Sequence, residues 1–261
     1  MIATMPITAV TLRGLLGRRR TLLMLLLVGL PVLVALLGRI AEGSLEVDRI
    51  LDPLGIRTIL PLVALVFGTA ALGSELEDGT AVFLIIKPIP RWRIIGAKML
   101  VAAGLTIALI MPAMVATGIV AGGFGPGSLS TTFAYALAAS LGGAAYASAF
   151  VALSAFTGRA LIIGLAYTLI WEGTLAGLLE GTRFLSIRQA TLGIAAGLSE
   201  PPFGQTPLAL PLSVVIIAVV IVGSLVLGSL SPAAIPSVAW RIDRKRVPSR
   251  RPARVPSQIR V

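Results

Sequence analysis

The sequence predicts an all-α integral membrane protein with six transmembrane helices, and three observations lead there. Of 261 residues, 56% are hydrophobic and 13% are charged, about half the charge of a soluble domain. The apolar residues gather into six runs, at 21–38, 58–73, 99–123, 132–156, 160–179 and 212–230. Crossing a bilayer core of about 30 Å takes roughly 20 helical residues, and the second run reaches that length only by borrowing Ile56 or Ser74. The basic residues, finally, alternate in side. With an inner N-terminus, all of the 22 Lys and Arg except Arg39, Arg49, Arg57, Arg183 and Arg188 fall on inner segments. The positive-inside rule therefore places both termini in the cytoplasm.

The elements follow in chain order. In residues 1–20, Ile7, Val10, Leu12, Leu15 and Leu16 share roughly one helical face, with Arg13, Arg18, Arg19 and Arg20 between and after them. That pattern predicts an amphipathic helix lying on the membrane surface. A cleaved signal, including a twin-arginine one, is the competing reading. Arg39 and Glu42 follow the apolar run where a small-x-small cleavage site would stand. The six-span body is then expected over 21–230.

Pro31 and Pro112 lie inside the first and third spans and are expected to kink them. In the fourth span Ala136, Ser140, Ala144, Ser148 and Ala152 recur every four residues. Such a face of small residues serves close helix packing, either at a subunit or gate interface or inside a single bundle. Residues 122–130 (GGFGPGSLS) read as a tight outer turn. The longest outer segment is 180–211, where FLSIRQATLGIAAGL has helical spacing before Pro201, Pro202, Phe203 and Gly204. A short helix dipping into the outer leaflet is expected there. Residues 231–261 are basic and rich in Pro and Ser, and are expected to form a disordered cytoplasmic tail on lipid headgroups.

Composition removes several function classes. The chain has neither cysteine nor histidine, so disulfides, thiolate chemistry, imidazole metal sites and His-based acid/base catalysis are absent. Lys87, Lys98 and Lys245 do not follow a glycine, which rules out a GxxxxGK[ST] phosphate loop. No serine stands in GxSxG. The net charge of +11 belongs to bases beside apolar spans, which argues for membrane lipids as partners and against nucleic acid. The chain is not expected to be an enzyme by itself, nor to bind a cofactor or metal.

Two features stand out from the apolar background. Residues 74–98 carry three acids, Glu75, Glu77 and Asp78, then Gly79–Thr80, Pro88 and Pro90, and four bases, Lys87, Arg91, Arg93 and Lys98. Between apolar spans this reads as a loop held at the membrane surface. Gly79 frees the turn, Thr80 can cap a helix start, and residues 81–86 offer an apolar ridge to a partner's groove. The plainer reading of each base alone is orientation. The second feature is Glu172, beside Trp171 toward the outer end of the fifth span. An ionisable group at membrane depth is a functional candidate, lining a translocation path or bonding to another helix. Alternatively, Trp171 sits in the interfacial belt and Glu172 reaches the headgroups.

The order Glu75–x3–Gly79–Thr80, then Pro88–x2–Arg91, then Lys98 entering the next span, resembles the permease subunits of ABC-2 type transporters. Six spans, a basic N-terminal surface helix and a long outer segment before the last span are similar to that family as well, so the resemblance covers the chain to about residue 230. It implies a permease subunit of an ATP-driven transporter, most often an exporter. The partners implied are a separate ATPase subunit, which uses the ATP, and a second permease copy, identical or paralogous. Glu75, Gly79, Thr80, Pro88, Arg91 and Lys98 would form the ATPase-coupling loop, in a multi-pass protein of the bacterial inner (plasma) membrane. The alternatives are a secondary transporter or channel working without an ATPase, and a membrane assembly factor without transport.

Overall fold

The structure, a computed structural model, describes residues 18–43, 45–77, 91–175, 184–199 and 208–230, and all its regular elements there are helical. The surface helix expected over 1–20 lies outside these residues up to position 17, as do 78–90 and the tail. Seven helices are described. They are α1 (Arg18–Glu42), α2 (48–77), α3 (Arg91–Gly122), α4 (Pro126–Phe156), α5 (160–175), α6 (Ile187–Leu198) and α7 (Leu210–Leu230).

Five of these are long and apolar enough to cross a membrane: α1, α2, α3, α4 and α7. Among the described residues, helices of spanning length therefore number five, not the expected six. Of the fifth apolar run, the described part is helical as α5, through Leu175, and is shorter than a span. The second run is the opposite case, because its helix starts at Asp48, well before the apolar stretch. Its first turns read as loop in the sequence because of Asp48, Arg49, Asp52, Pro53 and Arg57. In the structure Leu51–Ile59 is a π-helix, whose i→i+5 bonding puts residues five apart in register. Arg57 thereby reaches Asp52 with two bonds, Nε to Oδ1 at 2.8 Å and Nη2 to Oδ2 at 2.7 Å. The Thr58 hydroxyl donates to the Pro53 carbonyl at 2.8 Å.

The bundle is built around α4. Its buried positions include Ala138, Ala139, Gly142, Gly143, Ala145 and Ala147 as well as Ala136, Ser148 and Ala152, so small residues surround the helix rather than line one face. That is what a helix contacted by α2, α3, α6 and α7 requires, since each backbone must approach closely. Three of the five residues of the repeat, Ala136, Ser148 and Ala152, thus serve packing inside the bundle, with Ala152 against Gly228 of α7. The α1 helix lies at the edge on α3, burying the stripe Met24, Val28, Pro31 and Ala35. Its helix runs through Pro31, and that of α3 through Pro112.

Ends are closed by local chemistry. Gly123 takes φ of 72° and its N–H bonds the Ile119 carbonyl at 2.9 Å, the left-handed stop that glycine makes cheaply. Arg39, from the last turn of α1, donates to the Val120 carbonyl at 2.9 Å, satisfying a C-terminal acceptor of α3. Pro126 then opens α4 directly, so the turn is shorter than the 122–130 expected from sequence.

Gly68 marks the tightest approach of α2 to α4. A Cβ there would lie 2.7 Å from Phe150 Cβ and 3.0 Å from the Ala147 carbonyl oxygen. Gly68→Ala is expected to force the two helices apart and destabilise by about 1–3 kcal/mol. The check is the thermal unfolding midpoint in detergent beside Gly29→Ala, whose added methyl meets nothing within 4 Å. Equal midpoints for the two variants would refute the contact.

Candidate functional site

Two places concern function: the helix ends that flank 78–90, and the surroundings of Glu172. At the first, α2 continues to Glu77 and α3 begins at Arg91. Glu75 is therefore on the last turn of a helix, and Arg91, Arg93 and Lys98 are on the first turns of another. The sequence placed all of them in one long loop. Nothing between Pro90 and Pro112 breaks a helix, so α3 simply extends past its apolar stretch. Gly79, Thr80 and Pro88 lie outside the described residues.

Lys98 departs from expectation. Expected in the ATPase-coupling loop, it is instead 1% exposed, and its Nζ donates to the Ala71 carbonyl of α2 at 3.1 Å. It joins α2 to α3 close to the ends of the 78–90 connection. Arg93 does face outward, its guanidinium 5.2 Å from the ring centre of exposed Trp92.

Glu172 is closed off from solvent. It is 2% exposed and accepts three hydrogen bonds. Tyr167 Oη donates at 3.2 Å, Ser186 Oγ at 2.5 Å and the Ile187 amide at 3.0 Å. Tyr167 and Glu172 are five apart on the π-helical turn Tyr167–Leu175, the same register as Asp52 and Arg57. Ile187 is the first residue of α6, and Ser186 is its N-cap, accepting from the Gln189 amide at 3.1 Å. The carboxylate thus closes the N-terminus of α6, where free amides and the helix dipole favour negative charge.

The depth of this contact follows from the helices. The polar turn 157–159 marks one boundary of the bundle. Tyr146, whose ring stacks on Phe150 at 6.0 Å, precedes Phe156 by about ten residues, or about 15 Å of helix. Glu172 lies a similar distance along α5 from Ala160. The α6 helix then runs toward the opposite face. Thr191 packs on Gly142 of α4, and Gly197 on Leu210 at the start of α7. Only 12 residues long, α6 is a half-helix with its N-terminus buried inside the bundle. The short helix expected within 180–211 is present as α6.

Ser186, Tyr167, Tyr146 and Arg188 were not singled out by sequence reasoning. One signal was present: Ser186-x-x-Gln189 has the spacing of a capping box, which locates the start of α6. The spacing of Tyr167 to Glu172 carries no such signal, because it is meaningful only on a π-turn.

No curated protein matches the chain at a significant level. The family model described as ABC-2 family transporter protein matches residues 17–176, from α1 through α5 and across the 74–98 segment. The apolar helices, the half-helix and this match agree: the chain is a multi-pass membrane protein and belongs to the ABC-2 transporter family, as an ABC-2 type permease.

Proposed function

We propose that the chain is the membrane-spanning subunit of an ATP-driven ABC-2 exporter, working with a separate ATPase subunit and a second permease copy in a bacterial plasma membrane. The family match over 17–176 is the observation that carries this reading. In it, α5 and α6 together make one broken crossing, giving six crossings with both termini in the cytoplasm. The chain itself performs no catalysis and holds no cofactor, the ATP being bound by the partner. Residues 74–98 dock on the ATPase, with Glu75, Gly79, Thr80, Pro88 and Arg91 at the contact. Lys98 acts from behind, joining α2 and α3 so that displacement of the connection moves both helices together as a rigid body. Substrate then passes outward between the two permease copies.

The test is co-purification from native membranes in mild detergent, with wild type and the double variant Glu75→Ala/Arg91→Ala. A soluble nucleotide-binding subunit is expected to accompany wild type, with at least a tenfold loss in the double variant, which is about 1.4 kcal/mol of binding. If no ATPase accompanies wild type, the ATP-driven reading fails. The reading that would then gain is a secondary transporter, because a broken crossing with a buried acid is what such proteins use to bind coupling ions.

A further inference from the structure

Trp92 and Arg93 belong to the charged 74–98 segment, yet neither the proposed ATPase contact nor the joint between α2 and α3 uses them. Their direction follows from the exposure pattern of α3. Ile95, Met99, Ala102 and Ile110 are buried against the bundle, whereas Leu100, Gly104 and Met111 are exposed. At 3.6 residues per turn, Arg93, Leu100, Gly104 and Met111 fall within about 20° of one line. Arg93 therefore begins the stripe of α3 that lies against lipid in a spanning bundle, on the side away from its helix neighbours.

Two other helices fix its level. Gly228 of α7 meets Ile95, and Leu225 of α7 meets Gly96, so the two helices run in opposite directions. Leu230, the exposed apolar end of α7, then stands about level with Arg93. On α4, Ala152 meets the same Gly228. One turn further on comes the exposed Phe156, and then the polar turn 157–159. Exposed apolar surface thus gives way to polar groups at one level on three helices, as it does where hydrocarbon meets headgroups.

Trp92 is 54% exposed, and the Arg93 guanidinium lies 5.2 Å from its ring centre. Tryptophan favours this interface. Stacking over a ring leaves the edge of the planar guanidinium, with its N–H groups, to an oxyanion. The ion pairs found among the described residues are Arg49–Glu46 and Arg57–Asp52, so Arg93 enters none of them.

We propose that Arg93 and Trp92 bind the phosphate of an anionic phospholipid, whose acyl chain lies along Leu100 and the exposed stripe of α3. An acidic protein surface would also complement the charge, but the stripe that Arg93 begins is apolar through Met111, which suits an acyl chain. Under the orientation proposed above, the lipid comes from the cytoplasmic leaflet.

The experiment uses the full-length chain carrying Trp171→Phe and Trp240→Phe, which leaves Trp92 as the sole tryptophan of three. It is reconstituted in phosphatidylcholine vesicles holding a minority of phosphatidylglycerol. Bromine, which quenches indole fluorescence at short range, is placed on the acyl chains of the phosphatidylglycerol or of an equal amount of phosphatidylcholine. Quenching of Trp92 is expected to be about two- to fivefold stronger when the anionic lipid carries the bromine. Arg93→Gln should bring that ratio to about one, and Arg93→Lys should keep part of it. Both side chains are exposed, so these variants are expected to fold, with size exclusion as the check. Equal quenching by the two lipids would overturn the proposal. So would a preference that survives Arg93→Gln, which would belong to the general basic surface, or quenching by neither lipid, which would leave the site to a soluble partner. Neither ATPase nor nucleotide enters the assay, so its failure leaves the ATP-driven reading standing, and failed co-purification leaves this site standing.

Discussion

Glu172→Ala is expected to undock α6 and lower the stability of the protein by about 3–5 kcal/mol, the range for breaking a buried charged contact. The substitution removes the acceptor of three bonds at once, from Tyr167, Ser186 and the Ile187 amide. In so buried a position each stranded donor carries its own desolvation cost. Glu172→Gln keeps one acceptor oxygen but points an amide N–H₂ at the other donors, so an intermediate loss is expected. The unfolding midpoint in detergent should fall by on the order of 10 °C for alanine. A local readout is also at hand, because the chain has no cysteine. Ala190 is fully buried in α6, so Ala190→Cys should react slowly with a maleimide in the wild-type background and rapidly with Glu172→Ala. Unchanged reactivity and midpoint would mean that α6 is held by its packing on α4 and α7 alone.

The second large effect is expected at Lys98. Its ammonium is sealed between α2 and α3 and donates to the Ala71 carbonyl. Lys98→Glu puts a carboxylate where that carbonyl oxygen points, which replaces attraction by repulsion between two acceptors. A loss of at least about 3–5 kcal/mol is expected, a large share of a total stability on the order of 5–15 kcal/mol. Little monodisperse protein should be recovered by size exclusion. Lys98→Met keeps the length of the stem without the charge. It is expected to fold, because a buried charge is often replaced by a well-packed apolar group with small cost. In the proposed exporter, however, this variant should bind ATPase yet stimulate transport poorly, since α2 and α3 would no longer move as one. If Lys98→Glu is recovered like wild type, the side chain is not buried as described.

Much of the fold was legible in the residues. The apolar runs gave α1, α3, α4 and α7 because burial in lipid demands about 20 apolar helical residues whatever the packing. The start of α2 was hidden, because Asp52, Pro53 and Arg57 read as loop. They become helical only when a π-turn lets Arg57 satisfy Asp52. The small residues of α4 announced close packing, but a repeat of four could not say against which helices. The structure answers with helices on several sides of α4.

The site shows the same division. By itself the sequence determined the membrane class, the absence of histidine and cysteine chemistry, and the order of charges that resembles an ABC-2 permease. These are properties of composition and of spacing along one chain. Only the tertiary structure decided that Lys98 is buried and that Glu172 caps a half-helix inside the bundle. The physical reason is that the fate of a charge in a membrane depends on which partner reaches it across the bundle. Glu172 and Ile187 are joined by a turn of chain that no periodicity describes, and Tyr146 comes to them from another helix altogether.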